Sequence, residues 1–342
     1  MERTLWVCSN RFSSALERAS IAVLCLSAVS FCGCSALRVG LGMREPLAKI
    51  DVASMSAKLP NGPGIAPGQK RALIAQFTEP NGKVLITEGK GGGKIMWKDL
   101  TVAGAVVDVN TKGIVSLRAD PRYSDGKTGH VTITAPSHPN LRADLDIPFR
   151  YDVAFTANFS GTPGASGTSG MDGTNGTSGS SGSMDPNNPS PGGDGGNGTD
   201  GSDGGDGGPG GNAPNVLVRA TVRPGNHPML EVSVSAAGDE RFFLIDTQGG
   251  SLLVKADGGA GGSGGRGGRG GSGGSGGMGT PSGNSGMSGH DGRNGFDGSP
   301  GKAGSIRVAY DPQVKPFLSV IHLSNKGGPG PTFQEEPVAE LW

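Results

Sequence analysis

Aromatic residues and cysteines are scarce in this chain of 342 residues, and positive and negative charges balance. Because only 5% of the residues are aromatic, one large conventional core cannot fill the whole chain. All four cysteines, Cys8, Cys25, Cys32 and Cys34, precede residue 35, so the rest of the chain has no thiol for a disulfide or a metal. The formal net charge of zero argues against a nucleic-acid partner bound by phosphate neutralisation.

Catalytic and metal-binding motifs are also missing from the sequence. The stretch 89–95 looks like a phosphate loop, but Glu88 replaces its first glycine and Ile95 replaces the magnesium-binding hydroxyl. The five histidines have no ligand spacing between them: His130, His138, His227, His290 and His322. We therefore predict no catalytic, cofactor-binding or metal-binding residue, and a protein that is not an enzyme.

The amino terminus has the features of a secretory signal. Arg3, Arg11 and Arg18 precede an apolar run at 21–31, which is too short to span a bilayer. The residues before Cys34 resemble a bacterial lipobox, because the small residue Gly33 precedes that cysteine. The resemblance implies a signal peptide at 1–33, lipidation of Cys34 and a short tether at 34–47. A signal cleaved without lipidation and a retained anchor are the alternatives.

The residue after the lipidated cysteine bears on location. Bacterial lipoproteins that stay at the inner membrane usually carry Asp at that position, whereas this chain has Ser35. The resemblance therefore implies attachment to the outer membrane or cell surface through the lipid.

Glycine is the most abundant residue, with 65 copies, and it recurs at every third position in four runs. The runs occupy 161–182, 192–212, 258–279 and 283–304. Three residues per turn is the period of the polyproline II helix, and glycine lets another backbone lie close against that face. Runs one and four repeat Gly-x-x, whereas runs two and three are mostly Gly-Gly-x. Two glycine faces permit two close neighbours, so we expect runs two and three in the middle.

The four runs form two predicted hairpins. Turn-forming residues at 185–191 separate runs one and two, and 280–282 separates runs three and four. Each run would extend about 65 Å at roughly 3.1 Å per residue. Each hairpin leaves a predicted strand and returns to another, so the runs belong to one β-rich region.

The glycine runs resemble the polyglycine II bundles of a snow-flea antifreeze protein, phage tail adhesins and the amino-terminal domain of Obg-type GTPases. The resemblance covers 161–304 and implies a four-helix bundle. A disordered linker and a collagen-like trimer are the alternatives. We expect the acidic row Asp194, Asn197, Asp200, Asp203 and Asp206 to form a solvated ridge that faces Arg266 and Arg269.

Short apolar runs divided by turn residues predict antiparallel β-structure at 48–151. The stretch from Ala66 through Trp97 to Leu117 resembles a bacterial immunoglobulin-like domain, which implies a β-sandwich with Trp97 in its core. Alternating apolar residues predict a long strand at 145–159 that bends or breaks near Pro148. A second β domain is expected at 152–324, followed by an irregular tail at 325–342.

These observations predict a mainly β protein with an immunoglobulin-like β-sandwich, followed by a β domain that carries a four-helix polyglycine II bundle. The chain is similar to glycine-rich, collagen-like bacterial lipoproteins. We expect a monomeric structural or adhesion protein at the cell surface, with a surface polysaccharide or protein bound at the loop tips 185–191 and 280–284. One alternative is an ice- or polysaccharide-binding module, which the regular positions of Thr168, Thr174 and Thr177 favour. Another is a collagen-like trimeric stalk.

Overall fold

The computed structural model describes residues 44–225 and 227–342, which form two compact units that divide between Arg150 and Tyr151. The predicted signal peptide, Cys34 and most of the predicted tether lie outside the described residues. Within the described ranges, no helix is long and apolar enough to cross a membrane.

The first unit consists of short antiparallel strands. They are β1 (Ser54–Lys58), β2 (Lys70–Ala72), β3 (Ile74–Thr78), β4 (Val84–Ile86), β5 (Thr101–Ala105), β6 (Asp108–Val109), β7 (Ile114–Ser116), β8 (Gly129–Ala135) and β9 (His138–Ile147). They pair into three three-stranded sheets, in the orders β1-β3-β4, β2-β7-β6 and β5-β8-β9. In β8 every second residue is buried, as expected for a strand with one face on a core.

The predicted immunoglobulin-like sandwich is wrong, because the first unit has three small sheets instead of two larger ones. One reason lies at Leu73, where the apolar run splits into β2 and β3. The Leu73 N–H donates to the carbonyl of Gly113, whereas β3 pairs with β1 and β4. A second reason lies at Trp97, which begins the 3-10 turn Trp97–Asp99 instead of continuing a strand.

The core of the first unit includes Trp97, which is 5% exposed, as expected from the sequence. The Trp97 backbone N–H donates to the Glu88 carboxylate at 3.2 Å, and the indole N–H donates to the Glu88 carbonyl at 3.3 Å. Gly113 lies against the indole so closely that a Cβ there would stand 2.1 Å from Trp97 Cε2. The same core contains the large buried side chains of Leu47, Ile65, Phe77, Ile95, Ile133 and Ile147.

The second unit contains two sheets. Its strands are β10 (Ala154–Asn158), β11 (Val216–Arg223), β12 (Met229–Ala236), β13 (Asp239–Asp246), β14 (Ser251–Lys255), β15 (Ile306–Tyr310), β16 (Ile321–Ser324) and β17 (Thr332–Glu335). Parallel β10, β14 and β16 form one sheet, and the other has the order β13-β12-β11-β15-β17. Side chains of both sheets, among them Val218, Val232, Leu252 and Val254, form one core.

The carboxyl-terminal tail is not irregular throughout, contrary to the prediction, because it supplies β17 at an edge of the five-stranded sheet. The tail also contacts β12. The Leu341 N–H donates to the buried Glu231 carboxylate at 3.0 Å, and the Trp342 ring lies edge-on to Phe242 at 5.9 Å. This contact helps to bury Glu231, whose neighbours on β12 face the core between the sheets.

The predicted long strand breaks at Pro148, as expected, because β9 ends at Ile147 and β10 begins at Ala154. The predicted four-helix polyglycine II bundle is wrong as a description of the secondary structure. The helical elements of the described residues are five 3-10 helices, the longest being Pro312–Val320, and none lies within 161–304. The glycine-rich ranges have neither helix nor strand assigned, because their backbone hydrogen bonds run to neighbouring ranges instead of within each range.

Candidate functional site: the glycine array and its end loops

Four glycine-rich ranges lie side by side in the second unit, and we call them the glycine array: segment 1 (161–182), segment 2 (192–212), segment 3 (258–279) and segment 4 (283–304). Segment 1 follows β10, segment 2 leads to β11, segment 3 follows β14 and segment 4 leads to β15. The sheets therefore hold the near ends of all four segments. Segments 1 and 2 run antiparallel, as do segments 3 and 4, as expected for two hairpins.

Backbone hydrogen bonds at every third residue join the segments. In segment 1, for example, the N–H groups of Gly164, Gly167 and Gly170 donate to carbonyls of segment 3 at 2.7 to 2.8 Å. Segment 3 donates to segment 2, segment 4 donates to segment 3, and segment 2 donates to both segments 1 and 4. Segments 2 and 3 therefore have three neighbours each, and segments 1 and 4 have two. This order agrees with the expectation from their glycine patterns.

Glycine is required where the segments touch, because a side chain would meet backbone atoms. A Cβ at Gly265 would stand 1.9 Å from the carbonyl oxygen of Thr168, and one at Gly207 would stand 2.1 Å from that of Gly262. The second glycines of segment 2 have more room, since a Cβ at Gly208 would lie 3.3 Å from its nearest atom, the Ala165 nitrogen. The array therefore depends on the first glycine of each triplet more than on the second in segment 2.

Side chains of segment 2 bind the backbone of segment 4 along one side of the array. The first is Asp194, whose Oδ1 accepts a hydrogen bond from the Asn284 N–H at 2.7 Å. Six further pairs repeat this contact between residues ninety positions apart, the last of them just beyond the two segments: Asn197 with Met287, Asp200 with His290, Asp203 with Arg293, Asp206 with Phe296, Asn212 with Lys302 and Asn215 with Ser305. We call these seven pairs the acceptor ladder, because an Asp or Asn side-chain oxygen is the acceptor in each. Its members supply acceptors to N–H groups that have no partner within their own segment.

Shorter ladders occur on two other sides. Asp172 and Asn175 of segment 1 accept hydrogen bonds at 2.8 Å from the N–H groups of Arg269 and Ser272 in segment 3. On the side between segments 3 and 4, the acceptors Asp297, Asn294 and Asp291 bind the N–H groups of Gly264, Gly267 and Gly270. These side chains fix the register of one segment against the next.

The expected ridge of acidic residues facing Arg266 and Arg269 is wrong. Those arginines belong to segment 3, whereas the acidic row of segment 2 lies along segment 4. Backbone hydrogen bonding from His290, followed by the contact with its ring, holds the pKa of Asp200 below its ordinary value. No cluster of three or more metal-ligating side chains occurs in the described part of the chain. The hydrogen bonds from segment 4 give the row a structural role in holding that segment.

The far end of the array consists of two loops, 185–191 and 280–282, which are hydrogen-bonded to each other. The Thr280 N–H donates to the Ser190 carbonyl at 2.9 Å, and the Gly192 N–H donates to the Pro281 carbonyl at 2.9 Å. Next to these loops, the side chains of Met184 and Met278 are 63% and 68% exposed. Exposed methionines are common at adaptable binding surfaces, because the side chain is flexible and polarizable. We call these loops and the two methionines the end surface.

Three threonines singled out in the sequence lie on the side between segments 1 and 2. A Cβ at Gly205 or Gly196 would stand 3.0 Å from the hydroxyl oxygen of Thr168 or Thr177, respectively. The Thr174 hydroxyl lies 3.1 Å from that of Thr199. The structure thus places all three threonines in one row along segment 2.

The predicted lipidation site, Cys34, lies outside the described residues, so the structure places no predicted site residue. The acceptor ladder was missed by sequence reasoning, although Asp or Asn at every third position from 194 to 206 was its signal. No family model matches this chain, and no curated protein matches it either.

Proposed function

We propose that this protein is a non-enzymatic structural or adhesion protein of the cell surface, in which the glycine array serves as a rigid arm. The observation that supports the arm is the backbone hydrogen bonding between all neighbouring segments, repeated at every third residue from the sheets to the end loops. A segment of this length extends about 65 Å at roughly 3.1 Å per residue. Such an arm would hold a binding surface well away from the β-sheets.

The proposed binding surface is the end surface. It is favoured by its position at the far end of the array and by its exposed methionines, Met184 and Met278. Its loops are ordered by hydrogen bonds to each other, which lowers the entropy lost when a partner binds. The proposed partner is a protein or polysaccharide of another surface.

The proposed attachment to the membrane is a lipid on Cys34, at the outer membrane or cell surface. Metabolic labelling of the full chain with a fatty acid tests this attachment. We expect label in the wild type, and we expect Cys34→Ser to lose both the label and its place in the membrane fraction. Equal labelling of the two chains would contradict lipidation at Cys34.

Adhesion of cells that display the full chain tests the end surface. We expect the double variant Met184→Ser/Met278→Ser to reduce adhesion, because it removes the exposed apolar atoms at the loops. The matched control is Met171→Ser/Met287→Ser, since these methionines are 80% and 73% exposed but lie on the sides of the array. Full adhesion by the first variant, or an equal loss in the control, would contradict recognition at the end surface.

The mass of residues 36–342 in solution tests whether one chain builds the arm. All four segments bond within a single chain, so we expect light scattering to give a monomer at every concentration. A stable trimer would favour the collagen-like stalk instead.

The row of Thr168, Thr174 and Thr177 favours a second candidate, an ice- or polysaccharide-binding module that uses one side of the array. Regularly spaced hydroxyls on a hydrogen-bonded scaffold suit an ordered, uncharged surface. An assay of ice recrystallisation with the purified protein separates ice binding from adhesion at the end surface, which predicts no effect on ice.

A further inference from the structure

The first unit contains a hollow of about 300 Å³ beside Trp97. Its lining residues lie outside the glycine array in the sequence. Its apolar lining consists of Trp97, Leu100, Val102 and Val109. The indole N–H donates to the Glu88 carbonyl, and the Trp97 backbone N–H donates to the Glu88 carboxylate, so both the ring and the backbone of Trp97 are held. These hydrogen bonds fix the position of Trp97 at the hollow, and binding sites of small molecules are usually apolar hollows with a few placed polar groups.

The polar lining of this hollow offers hydrogen-bond donors. It consists of Lys98, Asn110 and Thr111. The Asn110 Oδ1 already accepts hydrogen bonds from the backbone N–H groups of Lys112 and Ile114, both at 2.9 Å. These bonds fix the amide so that its Nδ2 group is left to donate elsewhere. Among the described residues, Lys98 has no carboxylate within ion-pair distance.

A second hollow of about 310 Å³ adjoins the first, and the two share Trp97 and Thr111. It is also lined by Arg44, Glu88 and Lys112. Its one carboxylate, that of Glu88, lies 2.8 Å from the Arg44 guanidinium and also accepts from the Trp97 N–H. The charge of Glu88 is thus offset by Arg44, and Lys112 adds a further positive group near the rim.

We propose that the hollow beside Trp97 binds a sugar acid, with the ring on the apolar floor and the carboxylate at Lys98. The donors select this class of ligand. A carboxylate matches the ammonium group, and ring hydroxyls supply acceptors to the Asn110 amide and to the Thr111 hydroxyl. An aromatic carboxylate would match the floor and Lys98 but would form no hydrogen bonds with those two groups. A volume of about 300 Å³ is large enough for one sugar ring.

Fluorescence of Trp97 tests the proposal directly. In the full chain with Trp6→Phe and Trp342→Phe, Trp97 is the one remaining tryptophan. We expect glucuronate to change this emission saturably with a Kd of about 1 mM or below. Glucose has the same ring but no carboxylate, so we expect it to bind at least about tenfold more weakly. Benzoate keeps the carboxylate without the hydroxyls and should also bind more weakly.

A pair of lysine variants locates the site. Lys98→Ala should weaken glucuronate binding about tenfold, since one charge-assisted hydrogen bond is lost. Lys58→Ala is the matched control, because Lys58 is exposed on β1 and does not line the hollow. No saturable response to glucuronate would overturn the proposal. So would equal binding of glucose, tighter binding of benzoate, or an equal loss in both lysine variants. Adhesion through the end surface is unaffected by any of these results.

Discussion

A pair of adjacent alanine substitutions tests how the glycine array is held together. Gly207 and Gly208 belong to the same triplet of segment 2, so Gly207→Ala and Gly208→Ala add the same methyl group in nearly the same place. At Gly207 the new Cβ would stand 2.1 Å from the carbonyl oxygen of Gly262 and 3.0 Å from the nitrogen of Gly298. Both are backbone atoms of neighbouring segments, so they cannot move aside as the end of a side chain would.

Relief of this contact requires segments 2 and 3 to separate by roughly 1.4 Å, since non-bonded contacts lie near 3.5 Å. That shift disturbs two hydrogen bonds at Gly262: its N–H donates to Gly208 at 2.9 Å, and its carbonyl accepts from Gly298 at 2.8 Å. Overpacking costs roughly 1–3 kcal/mol, and each lost hydrogen bond adds about 1 kcal/mol. We therefore expect Gly207→Ala to lower the free energy of unfolding by about 3 to 5 kcal/mol.

At Gly208 the nearest atom to the new Cβ is the Ala165 nitrogen at 3.3 Å, which needs an adjustment of a few tenths of an ångström. Alanine also restricts the unfolded chain more than glycine does, a gain of about 0.4–1 kcal/mol. We therefore expect Gly208→Ala to change the free energy of unfolding by less than about 1 kcal/mol. The neighbouring substitution is thus a control for helix propensity, hydrophobicity and position in the chain.

Thermal unfolding of residues 36–342, followed by calorimetry, measures both effects. For a unit of 150–250 residues, 1 kcal/mol corresponds to about 2–4 °C in Tm. Gly207→Ala should thus lower the Tm of the second unit by roughly 10 °C, while Gly208→Ala shifts it by a few degrees at most. Equal Tm values for the two variants would refute the close approach of segments 2 and 3 at Gly207.

Two further predictions concern buried and acidic groups of the second unit. Glu231→Ala should lower its free energy of unfolding by about 3–5 kcal/mol in denaturant titrations, because the Arg223 guanidinium and the Leu341 N–H lose their carboxylate; an unchanged midpoint would contradict this contact. Because the pKa of Asp200 is lowered in the folded state, its contribution to stability is fully present above about pH 4 and is lost as the pH falls below that value through the folded-state pKa. Titrations from pH 6 to pH 3 should therefore show a smaller acid-induced loss of stability for Asp200→Asn than for the wild type, and identical losses would count against the bond to His290.

The glycine period was sufficient to predict which segments lie inside the array. Where two of three positions are glycine, as in segments 2 and 3, more neighbours can approach, and this is a local property of the sequence. The period did not identify the secondary structure correctly, since a three-residue repeat was interpreted as a bundle of helices. The secondary structure depends on which carbonyls accept hydrogen bonds from the N–H groups, and those carbonyls lie in other segments.

The other differences between the predictions and the structure arise from contacts between residues that are distant in the chain. The acidic row of segment 2 was visible at 194–206, but its binding to N–H groups ninety residues away depends on the register of segments 2 and 4. The change of partner at Leu73 was invisible for the same reason, because the apolar alternation continues while the paired strand changes. Burial of Glu231 requires the tail to reach β12, and no local pattern near either residue encodes that contact.

The sequence by itself determined the mainly β character, the four glycine segments, the strands that they leave and enter, and the break at Pro148. These features follow from turn residues, from apolar alternation and from the space that glycine leaves, all of which act within a few residues. Tertiary structure decided the three small sheets of the first unit, the acceptor ladder and the hollow beside Trp97. Each of these joins residues that lie far apart in the chain or in different elements, so its hydrogen bonds and contacts exist only once the register between those elements is set.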